Sequence, residues 1–196
     1  MAAAERDEAW RAQFVADLAE VVPSELLYLD ESGFQTNMTR THARCPRGQR
    51  AIDVVPRNRG QNLTLLCALT LAGPTAPLVV EGGVNGDVFV TYIRQVLVPV
   101  LRPGQVVVLD NLGAHLRPKV RELVEATGAL LVYLPPYSPD LNPIESMFSK
   151  LKAAMRALAA RTREGVLDAL RQALDAVTLS DAQGWFQHVL SLQLLR

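Results

Sequence analysis

Three carboxylates in this chain stand where apolar elements end. Asp30 closes the run LLYLD, Asp110 closes the run VVVLD, and Glu145 follows Asn142 and Pro143 in the first turn of a helical stretch. If a sheet brings them together, their like charges repel by roughly 4 kcal/mol per pair at about 4 Å and an effective dielectric near 20. Bound hard cations relieve that repulsion, so the trio is a candidate metal site. Each acid also has a plainer reading. Glu145 stands three residues after Asn142, where it could satisfy helix N-terminal donors; Asp30 could be a solvated strand end and Asp110 a turn former. Asp87 and Asp140 compete as acids but read more simply as helix and turn caps. Glu31 is the understudy to Asp30, and strand alternation allows only one of the two to reach a shared site.

The elements that must position these acids follow from periodicity. Trp10, Phe14, Leu18 and Val21 have helical spacing, so residues 5–21 read as an amphipathic helix used for packing. Leu26 to Asp30 suits a buried strand, Arg50 to Val55 a second, and Leu63 to Leu71 a stronger one. Gly73 and Pro74 end that strand before a short run, Leu78 to Val80. Asn85 and Gly86 lead into a helix from Asp87 to Leu97. The chain then alternates: strand Val106 to Asp110, helix Pro118 to Ala126, strand Ala129 to Leu134, and a long helix from Pro143 to about Ala160. Residues 163–177 and 180–195 add two helices, the second opened by Ser180 and Gln183 at capping-box spacing. Strands joined through helices pair in parallel with right-handed crossovers. The expected class is therefore α/β, with a mixed five-stranded sheet of three antiparallel then two parallel strands, flanked by helices.

Length, at 196 residues, suits one domain, and 49% apolar residues suit a packed core. The start, MAAAERDEAWR, carries charges where a signal peptide needs an apolar centre, and no apolar run approaches a membrane span, so a cytoplasmic protein is expected. Cys45 and Cys67 lie far apart and show no ligand spacing with His42, His115 or His188, which supports neither a disulfide framework nor a zinc site.

The net charge is zero but unevenly placed. Between Arg40 and Gln61 lie Arg40, Arg44, Arg47, Arg50, Arg57 and Arg59 against the single acid Asp53; from Ser146 to Arg163 there are five basic residues and no acid. Such runs are either solvated faces or surfaces for a bound polyanion. Helix phase bears on the choice. Ile144, Met147, Phe148, Leu151, Met155 and Leu158 form an apolar stripe, while Glu145, Ser149, Lys152 and Arg156 recur on the other side. An acid aligned with basic residues fits a DNA backbone crossing that face better than a cap does.

The order of elements resembles the ribonuclease H-like fold. LDESGF (29–34), LDNLGAH (109–115) and YSPDLNPIE (137–145) resemble the signature blocks of the mariner-type superfamily of DDE transposases, in its bacterial insertion-sequence branch. The 34 positions from 111 to 144 that separate Asp110 from Glu145 are similar to the family's spacing. Phe148 stands where the family usually has an aromatic, often Trp. The resemblance covers about residues 26–160 and implies one ribonuclease H-like catalytic domain over residues 1–196. It implies that Asp30 bridges two Mg²⁺ ions (Mn²⁺ substituting), with Asp110 holding one and Glu145 the other. It implies hydrolysis of double-stranded DNA at transposon ends and joining of the 3′-hydroxyl to target DNA, by a homodimer acting in the cytoplasm on nucleoid DNA. Asn111 would support the site from its periphery; His115, Arg44, Arg47, Arg50, Arg57, Arg59, Ser149, Lys152 and Arg156 would contact DNA. The bland reading makes Asn111 a turn cap and His115 a partly buried hydrogen-bonding residue. Only about 25 residues precede the first strand, so an N-terminal helix-turn-helix domain is expected to be absent and could be separately encoded. A nuclease of the same fold without strand transfer, and a silent DNA-binding remnant, are the alternatives.

Overall fold

The computed structural model describes residues 6–58 and 60–194, with side chains through residue 190. Glu5, Arg59 and Leu195, which belong to expected elements or surfaces, lie outside the described residues. After α1 (Glu8–Ala19) come β1 (Leu26–Phe34), β2 (Leu63–Thr70) and β3 (Gly73–Glu81). They are followed by α2 (Gly86–Tyr92), β4 (Val106–Leu109), α3 (Pro118–Glu125), β5 (Leu130–Tyr133), α4 (Pro143–Leu158), α5 (Arg163–Asp175) and α6 (Leu179–Leu194). The strands make one sheet in the order β3-β2-β1-β4-β5, antiparallel through the first three and parallel from β1 to β5. This is the mixed α/β sheet expected of a ribonuclease H-like fold.

Helices cover both faces because alternate side chains of β1 and β2 are apolar on both sides. Leu26, Tyr28, Phe34, Leu65 and Cys67 pack with α1, α4, α5 and α6; Leu27, Leu29, Leu66 and Ala68 pack with α2 and α3. On the first face α4 supplies Ile144, Met147, Phe148, Leu151 and Met155, all buried. Phe148 is 2% exposed and fills the core on this face.

Several sequence expectations are corrected. Arg50 to Val55 forms no strand; residues 41–58 are exposed and irregular, and Ile52 and Val54, whose apolar side chains suggested pairing, find no sheet edge. The short run Leu78 to Val80 is the end of the longer β3, because Gly73, with φ of 120°, makes the tight turn that lets Thr70 pair with it. The helix expected through Leu97 changes at Ile93 to a π-turn and then a 3₁₀ turn through Val100. Pro99 accounts for that change, since it lacks an N–H and its ring crowds the carbonyl four residues back. The α6 cap is formed by Thr178 and Asp181, not Ser180 and Gln183: Thr178 Oγ1 accepts from the Asp181 N–H at 3.1 Å and the Thr178 N–H donates to Asp181 Oδ2 at 2.8 Å. Trp10 and Leu158, expected in apolar stripes, are 43% and 47% exposed.

Helix α4 ends at Ala159, whose φ of 49° and ψ of 40° are left-handed and whose N–H donates to the Met155 carbonyl at 3.0 Å. A β-carbon is disfavoured there by about 1–2 kcal/mol, partly offset by the greater freedom of glycine when unfolded. Ala159→Gly is therefore expected to stabilise the protein by roughly 0.5–1 kcal/mol, read as a higher urea midpoint at unchanged slope.

Candidate functional site

Strand register places the first two acids. Leu26, Leu27 and Tyr28 of β1 pair in parallel with Val106, Val107 and Val108 of β4. Asp30 and Asp110 each stand two residues beyond the last of these pairs, so they are level with each other. Asp30 is not a strand end: β1 continues to Phe34 along β2, while β4 stops at Leu109. Beyond that point β1 has no partner on the β4 side, and a crevice opens at the carboxyl ends of the parallel strands, the usual place for a ligand in such sheets. After β5 the loop of residues 134–142 crosses this crevice and delivers α4, whose first turn carries Glu145. Asp30, Asp110 and Glu145 line one cleft of about 470 Å³, together with Asn111, Tyr137, Ser138 and Asn142.

The three acids have different surroundings. Asp30 is 8% exposed; its Oδ1 accepts the Glu31 N–H at 2.7 Å and its Oδ2 accepts Asn142 Nδ2 at 3.2 Å. Burial, and then the charges of Asp110, Glu31 and Glu145, outweigh the Glu31 N–H and push its pKa up to about 7. Asp110 is held lower than an ordinary carboxyl: burial pushes it up, but hydrogen bonds from His115 and the Leu112 N–H, and the histidine's charge, prevail. Glu145 is exposed, and its carboxylate has no hydrogen bond or ion pair among the described residues.

His115 is fully buried, and so cannot touch a DNA phosphate as its place in the loop suggested. Its Nδ1 lies 2.5 Å from Asp110 Oδ1 and its Nε2 lies 3.0 Å from Glu31 Oε2. Burial alone would lower its pKa; the hydrogen bonds to Asp110 and Glu31 and their charges raise it to about 9. Glu31 points to the α2 side of the sheet, as alternation requires, and does not line the cleft. Asn111 donates its side-chain amide to the Leu134 carbonyl, tying the loop after β4 to the end of β5.

Two contributors escaped sequence reasoning. Asn142 occupies the N-cap position of α4 but makes no side-chain cap. Its amide goes to Asp30 instead, and its Oδ1 is buried with no hydrogen-bond partner among the described residues. Nothing in the spacing distinguishes these uses. Arg11 is 3% exposed and makes two hydrogen bonds to Asp140, at 3.1 and 2.7 Å, which lower the Asp140 pKa against its burial. Asp140 thus tethers the cleft loop to α1 and is more than a turn cap. The signal was present, since Arg11 falls on the helix face of Phe14 and Leu18.

The basic surfaces also divide. Lys150 pairs with Asp181, Arg161 donates to the Thr36 and Met38 carbonyls, and Arg163 pairs with Glu81. Lys152 and Arg156 have no such partner among the described residues, and they follow Glu145 and the exposed Ser149 along α4. Arg44, Arg47, Arg50 and Arg57 are exposed on the irregular segment between β1 and β2.

A family model for DDE superfamily endonucleases matches residues 25–166, which includes all three acids. The chain belongs to the DDE superfamily of endonucleases. No curated protein matches it. Among solved structures, this DDE chain is similar in fold to a pre-cleavage Mos1 transpososome, with a TM-score of 0.74 and 17% identity over 94% of this chain and 59% of that one. It is similar also to the Mos1 mariner paired end complex with Mn, with a TM-score of 0.72 and 19% identity over 96% and 60%. The catalytic domain of Mos1 mariner transposase gives a TM-score of 0.69 and 15% identity over 95% and 91%. The chain thus spans about three-fifths of the first two relatives and nearly all of the isolated catalytic domain.

Among the described residues of this DDE domain, no three His, Cys, Asp or Glu side chains stand close enough together to form a ready-made metal cluster. An open cleft with hard carboxylate oxygens fits a magnesium-type ion, which keeps several waters and takes only a few carboxylates. In the metal-free protein Asp30 releases its proton near 3.8 when unfolded but about 7 when folded, and His115 near 6.5 and about 9. The folded state then binds more protons at these two groups throughout both windows, so their contribution to stability falls as pH rises from 4 to 9. Urea unfolding without divalent ions is expected to show this decline, and Asp30→Asn to flatten it between pH 4 and 7. Added Mg²⁺ is expected to restore stability at pH 8, with proton release on binding near pH 7.

Proposed function

We propose that this chain is the catalytic domain of a metal-dependent DNA transposase of the mariner type, in the bacterial insertion-sequence branch. In this reading it cuts phosphodiesters at transposon ends and joins the freed 3′-hydroxyl to target DNA. The observation that carries it is the alignment of Asp30 and Asp110 across β1 and β4, with Glu145 on the same cleft, in a chain of the DDE family. Residues 1–196 act as one catalytic domain, and two copies work together on DNA in the cytoplasm. The similar Mos1 structures are a pre-cleavage transpososome and paired end complexes with Mg and with Mn; DNA and divalent ions are carried to this chain as part of the proposal.

Asp30, Asp110 and Glu145 would hold two Mg²⁺ ions, with Mn²⁺ substituting. Bound there, the ions supply activation of water or a 3′-hydroxyl and stabilisation of the leaving oxygen. The chain's own residues do the rest. Asn142 and the Glu31 N–H fix Asp30, the cleft loop excludes bulk water from one side, and Asn111 holds the β4 and β5 loops at one level. Lys152, Arg156 and Ser149 lay the DNA backbone along α4 toward Glu145, and Arg44, Arg47, Arg50, Arg57 and Arg59 add a second cationic surface.

Asp30→Ala, Asp110→Ala and Glu145→Ala are each expected to abolish Mg²⁺-dependent cleavage of a labelled transposon-end duplex; unchanged activity in all three would falsify the site. Appearance of the cleaved strand covalently joined to a plasmid identifies a transposase, and cleavage with no joined product identifies a nuclease. Lys152→Ala and Arg156→Ala are each expected to weaken DNA binding and to reduce the slope of log K against log salt by about 0.9. A slope unchanged in both would remove α4 as the DNA track.

A further inference from the structure

We propose that Glu31 and His115 are positioning residues that fix the Asp110 carboxylate, committing one of its oxygens to the protein and leaving the other for a metal ion. The inference rests on the reading of Asp110 as a metal-holding acid. Asp110 Oδ1 faces two donors, His115 Nδ1 at 2.5 Å and the Leu112 N–H at 3.0 Å. Its Oδ2 has no hydrogen bond among the described residues. A carboxylate at the start of an exposed loop otherwise turns freely about its own bond, and its two oxygens exchange roles.

The ring that prevents this is itself held on several sides. His115 is 0% exposed, its ring centroid lies 4.1 Å from that of Phe89 on α2, and the Tyr133 hydroxyl donates to its carbonyl at 3.1 Å. Its far nitrogen is engaged by Glu31 at 3.0 Å. Both ring nitrogens therefore meet carboxylates, and turning the ring would break both contacts. Glu31 lies on the opposite face of β1 from Asp30 and reaches the cleft only through this imidazole. Successive residues of one strand thus serve the site from its two sides, Asp30 directly and Glu31 through His115 and Asp110. Hydrogen bonds behind a metal-binding side chain typically change affinity or activity by about 10–100-fold when removed.

Packing and positioning make opposite demands at residue 115. In His115→Asn the amide nitrogen stands where Nδ1 stands, so the bond to Asp110 is kept while the packing against Phe89 is lost. In His115→Phe the packing is kept and the bond is lost. Mn²⁺ affinity of the full chain, measured from the electron paramagnetic resonance signal of free Mn²⁺, is expected to fall about tenfold for His115→Asn, which keeps the Asp110 bond but loses the Glu31 contact, and about a hundredfold for His115→Phe, which loses both. Thermal unfolding without metal is expected to rank them the other way, with His115→Asn the less stable. Glu31→Gln, whose amide can still engage Nε2, is expected to bind Mn²⁺ nearly as the parent does; Glu31→Leu is expected to lose about tenfold. This second pair carries the comparison if a residue 115 variant fails to fold. Affinity retained in His115→Phe and lost in His115→Asn, or unchanged in both Phe and Leu variants, would overturn the proposal. Unchanged affinity in an Asp110→Ala control would instead show that Asp110 holds no metal, which sinks the site reading as well and is distinguishable by that control alone.

Discussion

Two carboxylates held level at the point where β4 stops and β1 continues are the constraint around which the rest of this structure is arranged. Their mutual repulsion in a half-buried crevice is compensated locally and unequally. Asp110 is answered by an imidazole and a backbone N–H, and it stays ionised readily. Asp30 receives only neutral donors and is surrounded by acids, so burial keeps it protonated nearer to neutrality. Glu145 stays in solvent, with no partner among the described residues. Such asymmetry leaves the site under electrostatic tension that a cation relieves, which is the condition a metal-dependent phosphodiester site must meet.

The sheet keeps the supporting parts of the site on separate faces. On one side α4, locked into the core by Ile144, Phe148 and Leu151, sets where Glu145 stands. Its first turn is reached through a proline-rich loop, and that loop is tied down at both ends: Leu134 to Asn111 at its start, and Asp140 to Arg11 of α1 and Asn142 to Asp30 at its finish. On the other side α2 presents Phe89 to the ring of His115. Helix α6 anchors α4 through the pair of Lys150 with Asp181, a residue that also caps α6. One basic residue of the α4 run is thereby consumed by structure, while Lys152 and Arg156 remain available to a polyanion.

Much of this was legible along the chain. The alternation of apolar runs and helical stripes foretold five strands, their antiparallel and parallel parts, and the long helix bearing Glu145. The three motif blocks marked the acids. Where the reading failed, either a missing partner elsewhere in the fold or a competing local interaction intervened. Ile52 and Val54 have strand-forming side chains but find no partner edge, and a strand without a partner is not stable. Pro99 converted the end of the helix after Asn85 into wider and tighter turns, and Thr178 outcompeted Ser180 as a cap because Asp181, three residues on, returns the hydrogen bond.

What the sequence alone determined is the set of acids, their order and the elements that carry them, because periodicity and local turn chemistry act over a few residues. The tertiary structure alone decided which groups those acids meet. Whether Asn142 caps its helix or holds Asp30, whether His115 faces DNA or lies buried between Glu31 and Asp110, and which lysines on α4 stay free are settled by contacts between residues as much as 112 positions apart. Such contacts depend on strand register and helix docking, which have no local signature. The level placement of Asp30 and Asp110 is itself of this kind, since it follows from the pairing of β1 with β4 and from nothing within either strand.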